Sequence, residues 1–199
     1  MKPTDTIRSI LFVLICVLFT PRSAQAQMSY ERHVDSAKYY AKKMNFQRAL
    51  FHYQDALEIS KKQNQNKRII KDLLEIGSTY SNLDEYDKAV ENRLEALKLA
   101  EKRDDADSLK YEALLSLSDL CLKRLDLDGA ENYLNRVKLL AEQISQPYYL
   151  HRYYNNLGIL ERNRKNFDAS INAYKKALEI ARQEQFKIRY LNNLSLIHI

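Results

Sequence analysis

Residues that could bind a metal ion are few in this 199-residue chain. His33, His52 and His151 fall in different units of the repeat described below. None has a Cys, Asp or His partner at metal-ligand spacing within its own helix. Asp35 follows His33 too closely for the two to share a helical face. We therefore expect no metal site.

Serine, histidine and aspartate all occur, but nothing resembles the sharp turn that exposes the nucleophile of a serine hydrolase. A packed helical array also rarely builds a pocket that excludes water. We therefore expect no catalysis and no cofactor in these residues. Any catalytic activity would lie in a C-terminal part that is missing from this sequence, on the interpretation, given below, that the sequence is truncated.

The composition excludes several other classes. With three glycines and three prolines, a glycine-rich phosphate loop and a β-sandwich are both disfavoured. Two cysteines are too few for a disulfide scaffold. The net charge of +6 is spread out among interleaved acids, whereas nucleic-acid binding would need a one-sided basic stripe. What remains is a nearly all-helical chain without a nucleic-acid partner.

The N-terminus reads as an export signal. Lys2 and Arg8 precede the uncharged apolar run 10–19, and Ala24-Gln25-Ala26 is the small-x-small pattern that signal peptidase recognises. The run is about half of the ~20 residues that a membrane span needs. We expect residues 1–26 to be a cleaved signal peptide and the protein to be exported. An uncleaved anchor is the alternative.

A period of about forty residues organises the rest of the chain. Four columns of similar residues share the intervals 40, 41 and 40: Ala37, Gly77, Ser118, Gly158; Phe46, Tyr86, Leu127, Phe167; Ala49, Ala89, Ala130, Ser170; and Ala56, Ala96, Val137, Ala177. Four independent columns with one irregular set of intervals indicate repeated structural units.

Each unit has the pattern of two helices joined by a polar turn. Leu73, Gly77 and Tyr80 lie at helical spacing, and after the turn 81–84 the helical pattern resumes. Gly77 facing Ala89 would let the two helices cross closely. No unit can bury its apolar face alone, so the units must stack. We predict an all-α fold, a right-handed α-solenoid of stacked helix-turn-helix repeats.

These residues resemble the tetratricopeptide repeat family. Its pattern appears as Gly77-x-x-Tyr80, then Tyr86-x-x-Ala89 and Ala96, with a second copy at Gly158, Phe167, Tyr174, Ala177 and Leu178. The family's usual period is ~34, and the longer period here is similar to that of kinesin light chains and bacterial peptide-sensing regulators. The resemblance covers residues from about 30 to 193. We expect an array of these repeats over residues 27–193, with repeats at about 30–66, 70–106, 111–147 and 151–187 and a partial fifth from 189.

The resemblance implies that the first helix of each unit lines a concave groove that binds a peptide or protein. The candidate groove residues are Lys38, Lys71, Ser78, Asn82, Asp119, Arg152, Asn155, Asn156, Arg162, Arg189 and Asn193. Asn156 and Asn193 stand where the longer-repeat relatives place an asparagine that clamps the ligand backbone. The arginines could receive an acidic or carboxylate-bearing ligand. The alternative is that these polar residues form a solvated face.

Two further features are interpreted as packing. Cys121 occupies the tyrosine column of the third unit and is expected to be a buried small hydrophobe rather than a reactive thiol. The tyrosines at 148, 149, 153 and 154 around Pro147 could form a binding platform. We expect them instead to start a packed helix.

The last six residues, 194–199, read as a translated sequencing adapter. Leu-Ser-Leu-Ile-His-Ile is encoded by the mosaic-end string that transposase-based libraries attach to fragments. A natural, truncated helix end is the alternative. Exported arrays behind a signal sequence resemble the sensor portions of bacterial membrane signalling proteins. We therefore expect an exported, non-catalytic scaffold in the bacterial periplasm, or else the periplasmic sensor portion of such a signalling protein. The missing part would then hold a membrane span and a histidine kinase or helix-turn-helix regulator.

Overall fold

A computed structural model describes residues 22–183, and within that range the regular elements are eight α-helices and no strand. They are α1 Arg22–Lys42, α2 Phe46–Lys62, α3 Asn66–Asn82, α4 Tyr86–Glu101, α5 Asp107–Lys123, α6 Leu127–Ile144, α7 Pro147–Asn163 and α8 Phe167–Gln183. The predicted all-α class is confirmed. The greater part of the export signal, Arg189, Asn193 and the last six residues lie outside the described range.

The chain divides into two compact units, called the first unit (Met1–Asn64) and the second unit (Gln65–Ile199), as distinct from the sequence repeats. The first unit contains the helix pair α1–α2, and the second contains the pairs α3–α4, α5–α6 and α7–α8. In the second unit the first helices α3, α5 and α7 also contact one another in that order. No described helix combines the length and the apolar character that crossing a membrane would require.

The turn inside each helix pair has the same geometry in all four pairs. One residue adopts positive φ without being glycine, with φ between 57° and 63°: Met44, Asp84, Leu125 and Lys165. The next residue donates its N–H to a carbonyl five positions back, as from Asn45 to Tyr40 and from Asp126 to Cys121, both at 2.9 Å. This is the bond that closes a helix C-terminus around a left-handed residue. The turns therefore repeat with the period of the sequence.

The column of small residues lies where the two helices of a pair cross. A Cβ on Gly77 would come within 3.2 Å of the Ala89 carbonyl oxygen, which confirms the predicted close approach. A Cβ on Gly158 would come within 2.6 Å of the Tyr174 ring. At the same crossing, Ser170 Oγ donates a 2.8 Å hydrogen bond to the Gly158 carbonyl. Small side chains here let the helices of one pair pack closely.

The core of the second unit is centred on α5. Nine of its residues are buried: Leu109, Tyr111, Ala113, Leu114, Leu115, Leu117, Ser118, Leu120 and Leu122. Tyr111 donates to the Tyr149 carbonyl at 2.6 Å, and the two rings pack edge to face. Of the four tyrosines around Pro147, Tyr153 is buried, and Tyr149 and Tyr154 are partly buried and pack against the core. Phe167, in contrast, is 62% exposed.

The connection between α4 and α5, residues 102–106, is longer than the connections before and after it. It contains the extra residue that makes one interval 41 instead of 40. Asp105 on this connection accepts hydrogen bonds from Arg103 and lies 2.9 Å from Lys67 Nζ. These cations lower the pKa of Asp105 to about 2. The extra residue is thus accommodated outside the helices.

Candidate functional site

The first helices of the second unit form a groove of about 490 Å³. Its lining residues are Ser78, Ser81, Asn82, Arg93, Asp119, Leu122, Lys123, Ile159, Arg162 and Asn163. All but Arg93 come from α3, α5 and α7. Four predicted site residues, Ser78, Asn82, Asp119 and Arg162, therefore lie around one groove.

Asp119 provides a carboxylate in this groove and is paired within the protein. Asn156 on α7 donates its side-chain amide to Asp119 Oδ1. Burial raises the pKa of Asp119, against the opposing effects of that hydrogen bond and of the charges on Arg152, Arg93 and Lys123. Asn156, which was predicted to clamp a ligand, instead holds a carboxylate of the neighbouring first helix.

Arg93 is a groove residue that was not predicted. It comes from the second helix α4, is 5% exposed, and donates from NH1 to the Ser116 carbonyl at 2.7 Å. A Cβ on Gly77 would lie 2.9 Å from Arg93 Cγ, so the glycine makes room for the arginine side chain. Burial lowers the pKa of Arg93, and the charge of Asp119 opposes that effect.

The repeat itself carried a signal for Arg93. The residues sixteen positions after the small column are Tyr53, Arg93, Leu134 and Tyr174. The other three are buried hydrophobic side chains, so an arginine in this column is out of place for packing alone. An arginine in a column of buried hydrophobic side chains indicates that its charge has a role other than core packing.

Arg152 and Lys123 are already engaged by neighbouring first helices. Arg152 forms an ion pair with Glu112 on α5 and lies over the rings of Tyr111 and Tyr148. Lys123 donates to Ser81 Oγ at 3.1 Å. These contacts tie α3 to α5 and α5 to α7. Arg152 is therefore placed to hold the helices together, and a ligand would have to compete with Glu112 for it.

The remaining predicted residues are placed less centrally. Lys38 is exposed on α1 in the first unit, and Lys71 is exposed on α3 outside the lining of the groove. Asn155 is partly buried, and its Oδ1 accepts no hydrogen bond from the described residues. Arg189 and Asn193 lie outside the described range.

A second cavity in this unit, of about 700 Å³, is lined by Cys121. Its other lining residues are Val90, Leu117, Leu120, Arg124, Asp126, Gly129, Asn132, Tyr133 and Arg136. Cys121, which stands in the column of Tyr40 and Tyr80, is partly buried, whereas full burial was expected. Burial is the main cause that raises the pKa of the Cys121 thiol to about 11. At neutral pH the thiol is protonated and therefore a weak nucleophile.

The expected separation of the histidines is wrong for two of them. His33 on α1 and His52 on α2 belong to the same helix pair, and Asp55 lies three positions after His52 on α2. The ligand atoms of these three residues all lie within 4.8 Å of one another. The pair of His52 and Asp55 within one helix was overlooked in the sequence, and the pairing of α1 with α2 adds His33 to it. His151 is separate, buried, and hydrogen-bonded to the Ala177 carbonyl.

The chain was compared with known families and structures. Residues 73–103 and 151–184 match the tetratricopeptide repeat family model. No curated protein matches the chain. Among solved structures, it is similar to the Rap conjugation gene regulator of plasmid pLS20 in complex with the Phr* peptide, with a TM-score of 0.70 and 16% identity over 86% of this chain and 49% of that one.

Two further structures share the fold. The apo form of RapI has a TM-score of 0.67 and 12% identity over 98% of this chain and 53% of that one. BtubC (BKLC) from P. vanneervenii has a TM-score of 0.65 and 18% identity over 80% of this chain and 72% of that one. The chain thus spans about half the length of the two Rap structures. The repeats found in the sequence, the matched segments and the shared fold lead to one conclusion: residues 73–103 and 151–184 carry tetratricopeptide repeats, and the chain has a helical-repeat solenoid fold.

Proposed function

We propose that this chain is a non-catalytic scaffold that binds an extended peptide or protein segment in the groove between α3, α5 and α7. The observation that carries the proposal is the convergence of Ser78, Asn82, Asp119 and Arg162 on one groove. The Rap regulator with a similar fold was solved with a peptide bound. That likeness supports the choice of a peptide over a small metabolite.

The chemistry of the groove favours a peptide with an acidic side chain or its free carboxylate. Arg93, Lys123 and Arg162 provide three cations, against the single carboxylate of Asp119. Arg162 forms no ion pair with a residue in the described range, so its guanidinium can receive a carboxylate. Asn82 and Asn163 each offer both a donor and an acceptor, which suits a peptide backbone of any sequence.

The test begins with a phage-displayed library of random short peptides panned against the full chain. The affinity of an enriched, fluorescein-labelled peptide is then measured by fluorescence anisotropy. We expect acidic peptides to be enriched, and Arg162→Ala and Asn82→Ala each to weaken binding. For Arg162→Ala we expect at least a tenfold loss, because a charge-assisted hydrogen bond is removed.

Arg136→Ala is the matched control, because Arg136 lies on α6 and lines the other cavity. We expect its affinity to equal that of the wild type. Binding that Arg162→Ala and Asn82→Ala leave unchanged, or that Arg136→Ala abolishes, would place the peptide elsewhere. Failure to enrich any peptide would contradict the proposal.

As a second candidate, we propose that the array is the exported input portion of a membrane signalling protein. The apolar run 10–19 ahead of Ala24-Gln25-Ala26 supports export into the periplasm. The two Rap structures of similar fold are about twice as long as the part that this chain covers. A ligand in the groove would then bias an equilibrium in an output domain.

Long-read sequencing of the locus across the codon for Asn193 tests this candidate. An open frame that continues through ~20 apolar residues into a kinase or helix-turn-helix domain would support it. A stop codon directly after Ile199 in the genome would contradict this candidate and support a free-standing periplasmic scaffold instead. Fractionation of cells that express the full chain, with detection in the periplasmic fraction, tests export separately.

A further inference from the structure

The first helix pair brings together two imidazoles and a carboxylate. His33 Nδ1 on α1 lies 3.2 Å from His52 Nδ1 on α2 and 3.2 Å from Asp55 Oδ2, also on α2. The side chains of His33 and Asp55 are 28% and 36% exposed. The three ligand atoms therefore form a compact triangle that solvent can reach.

The fold positions each of these groups. His52 and Asp55 are three positions apart and share one face of α2. His33 meets that face from α1, which packs along α2. The ring of Tyr40 stacks on His52 with an interplanar angle of 8° and a centroid distance of 5.6 Å, which restricts the orientation of the imidazole. A preset ring orientation is what a metal-binding histidine needs.

The spacing suits a tetrahedral transition-metal ion. Zn²⁺ binds histidine nitrogen at about 2.0–2.1 Å, so two nitrogens on one tetrahedral zinc lie about 3.3 Å apart. The observed N–N and N–O separations of 3.2 Å are close to that edge length. Without a metal, the N–H of one imidazole would donate a hydrogen bond to the unprotonated nitrogen of the other. The carboxylate of Asp55 faces the same Nδ1 atom of His33. This convergence of three ligand atoms favours a cation bound between them.

We propose that His33, His52 and Asp55 form a site for a divalent transition-metal ion, with zinc as the best fit. Two nitrogens and one oxygen suit Zn²⁺, Co²⁺ or Ni²⁺, whereas Mg²⁺ and Ca²⁺ prefer oxygen ligands alone. Three protein ligands leave a fourth position for water. Because the ligands come from both α1 and α2, the bound ion joins the two helices and stabilises their pairing.

Isothermal titration of the tag-free full chain with ZnCl₂ at neutral pH tests the site. The titration is done in a Cys16→Ser, Cys121→Ser background so that neither thiol can bind the metal. We expect one ion per chain and a higher melting temperature with zinc, and no binding of MgCl₂. His33→Asn, His52→Asn and Asp55→Asn should each weaken zinc binding at least tenfold.

Asp35→Asn is the matched control for Asp55→Asn, because Asp35 is exposed on α1 and absent from the cluster. We expect it to bind zinc as the parent does. Nitrogen NMR of the histidine rings needs no variant and remains decisive if a variant fails to fold. Zinc should shift the Nδ1 signals of His33 and His52. No zinc binding, or binding that leaves both signals unmoved, would overturn the proposal.

Discussion

At the scale of single residues, the chain departs from its own repeat pattern at a charged residue that lines the groove. Arg93 stands in a column that otherwise holds buried tyrosine and leucine, and Gly77 leaves the space for it. In most proteins such a buried cation would be paired. The Nη1 of Arg93 donates a hydrogen bond to a backbone carbonyl, while its Nε has no hydrogen-bond partner among the described residues. We interpret this as stability given up for recognition.

Replacing Arg93 by leucine should separate these two roles. Leu134 fills the same column in the next repeat, so Arg93→Leu is expected to fold. Exchanging a buried charge for an apolar side chain is often neutral or stabilising, and the lost bond to Ser116 costs about 1 kcal/mol. We expect urea denaturation to show stability within about 1 kcal/mol of the wild type or above it. The affinity for an acidic peptide should fall at least tenfold.

The control for this variant is Arg136→Leu, which removes an arginine of the same charge from the other cavity. It should leave peptide affinity unchanged. If Arg93→Leu unfolds the protein, the arginine is structural. If its peptide affinity equals that of the wild type, the positive charge at this position does not contribute to recognition.

Cys121 provides a second prediction at this scale. With a pKa of about 11, the thiol should react slowly with iodoacetamide at pH 8. The rate should rise about tenfold per pH unit up to about pH 11, whereas a free cysteine levels off near about 8.5. Above about pH 8.5 the unfolded thiol loses its proton first, so stability should fall as the pH rises towards 11.

The alkylation is followed by mass spectrometry in a Cys16→Ser background, so that only Cys121 can react. Unfolding the same protein in urea provides the reference, because an exposed thiol should return to ordinary reactivity. A folded thiol that reacts as fast as the unfolded one at pH 8 would contradict the burial of Cys121.

At the scale of helices and turns, the period predicted most of what the structure contains. Columns such as Gly77 and Ala89 indicated both the helix pairs and their close crossing, because small side chains at fixed spacing have a direct geometric meaning. Contacts between helices could not be predicted in the same way. The bond from Asn156 to Asp119 depends on how α7 lies against α5, and the meeting of His33 with His52 depends on the rotation of α1 against α2.

The left-handed turn residues give a prediction for this scale. Leu125 has φ 59° and is 70% exposed, so its side chain contributes little packing in return for the strain. A non-glycine residue in this conformation costs about 1–2 kcal/mol. Leu125→Gly should therefore stabilise the protein, by up to about 1 kcal/mol after the extra entropy of the unfolded glycine is included. Urea denaturation measures the difference.

Leu139→Gly is the comparison, because Leu139 is similarly exposed but lies inside α6. Glycine within a helix should destabilise the protein by about 1 kcal/mol. The two variants make the same chemical change, so opposite signs would assign the effect to backbone conformation. A loss of stability in both would show that Leu125 packs more than its exposure indicates.

At the scale of the whole molecule, stability should be unevenly distributed. In a solenoid each repeat contacts only its neighbours, so within the second unit the helices with neighbours on both sides should be held best. Helix α5 combines nine buried residues with contacts to α3, α4, α6 and α7. We expect its amide protons to exchange most slowly in hydrogen–deuterium exchange, with faster exchange in α8. Equal protection along all described helices would indicate unfolding in a single step.

The connection of residues 102–106 indicates where the chain can accept additional residues without a change in the helix faces. Its extra residue shifts every later position by one, yet the helix faces on both sides keep their register because the shift is absorbed outside the helices. Deletion or insertion inside a helix would instead rotate all later side chains by about 100°. We therefore expect this connection to tolerate the insertion of a helix pair or of a foreign domain. A circularly permuted chain opened here should keep its hydrophobic faces aligned.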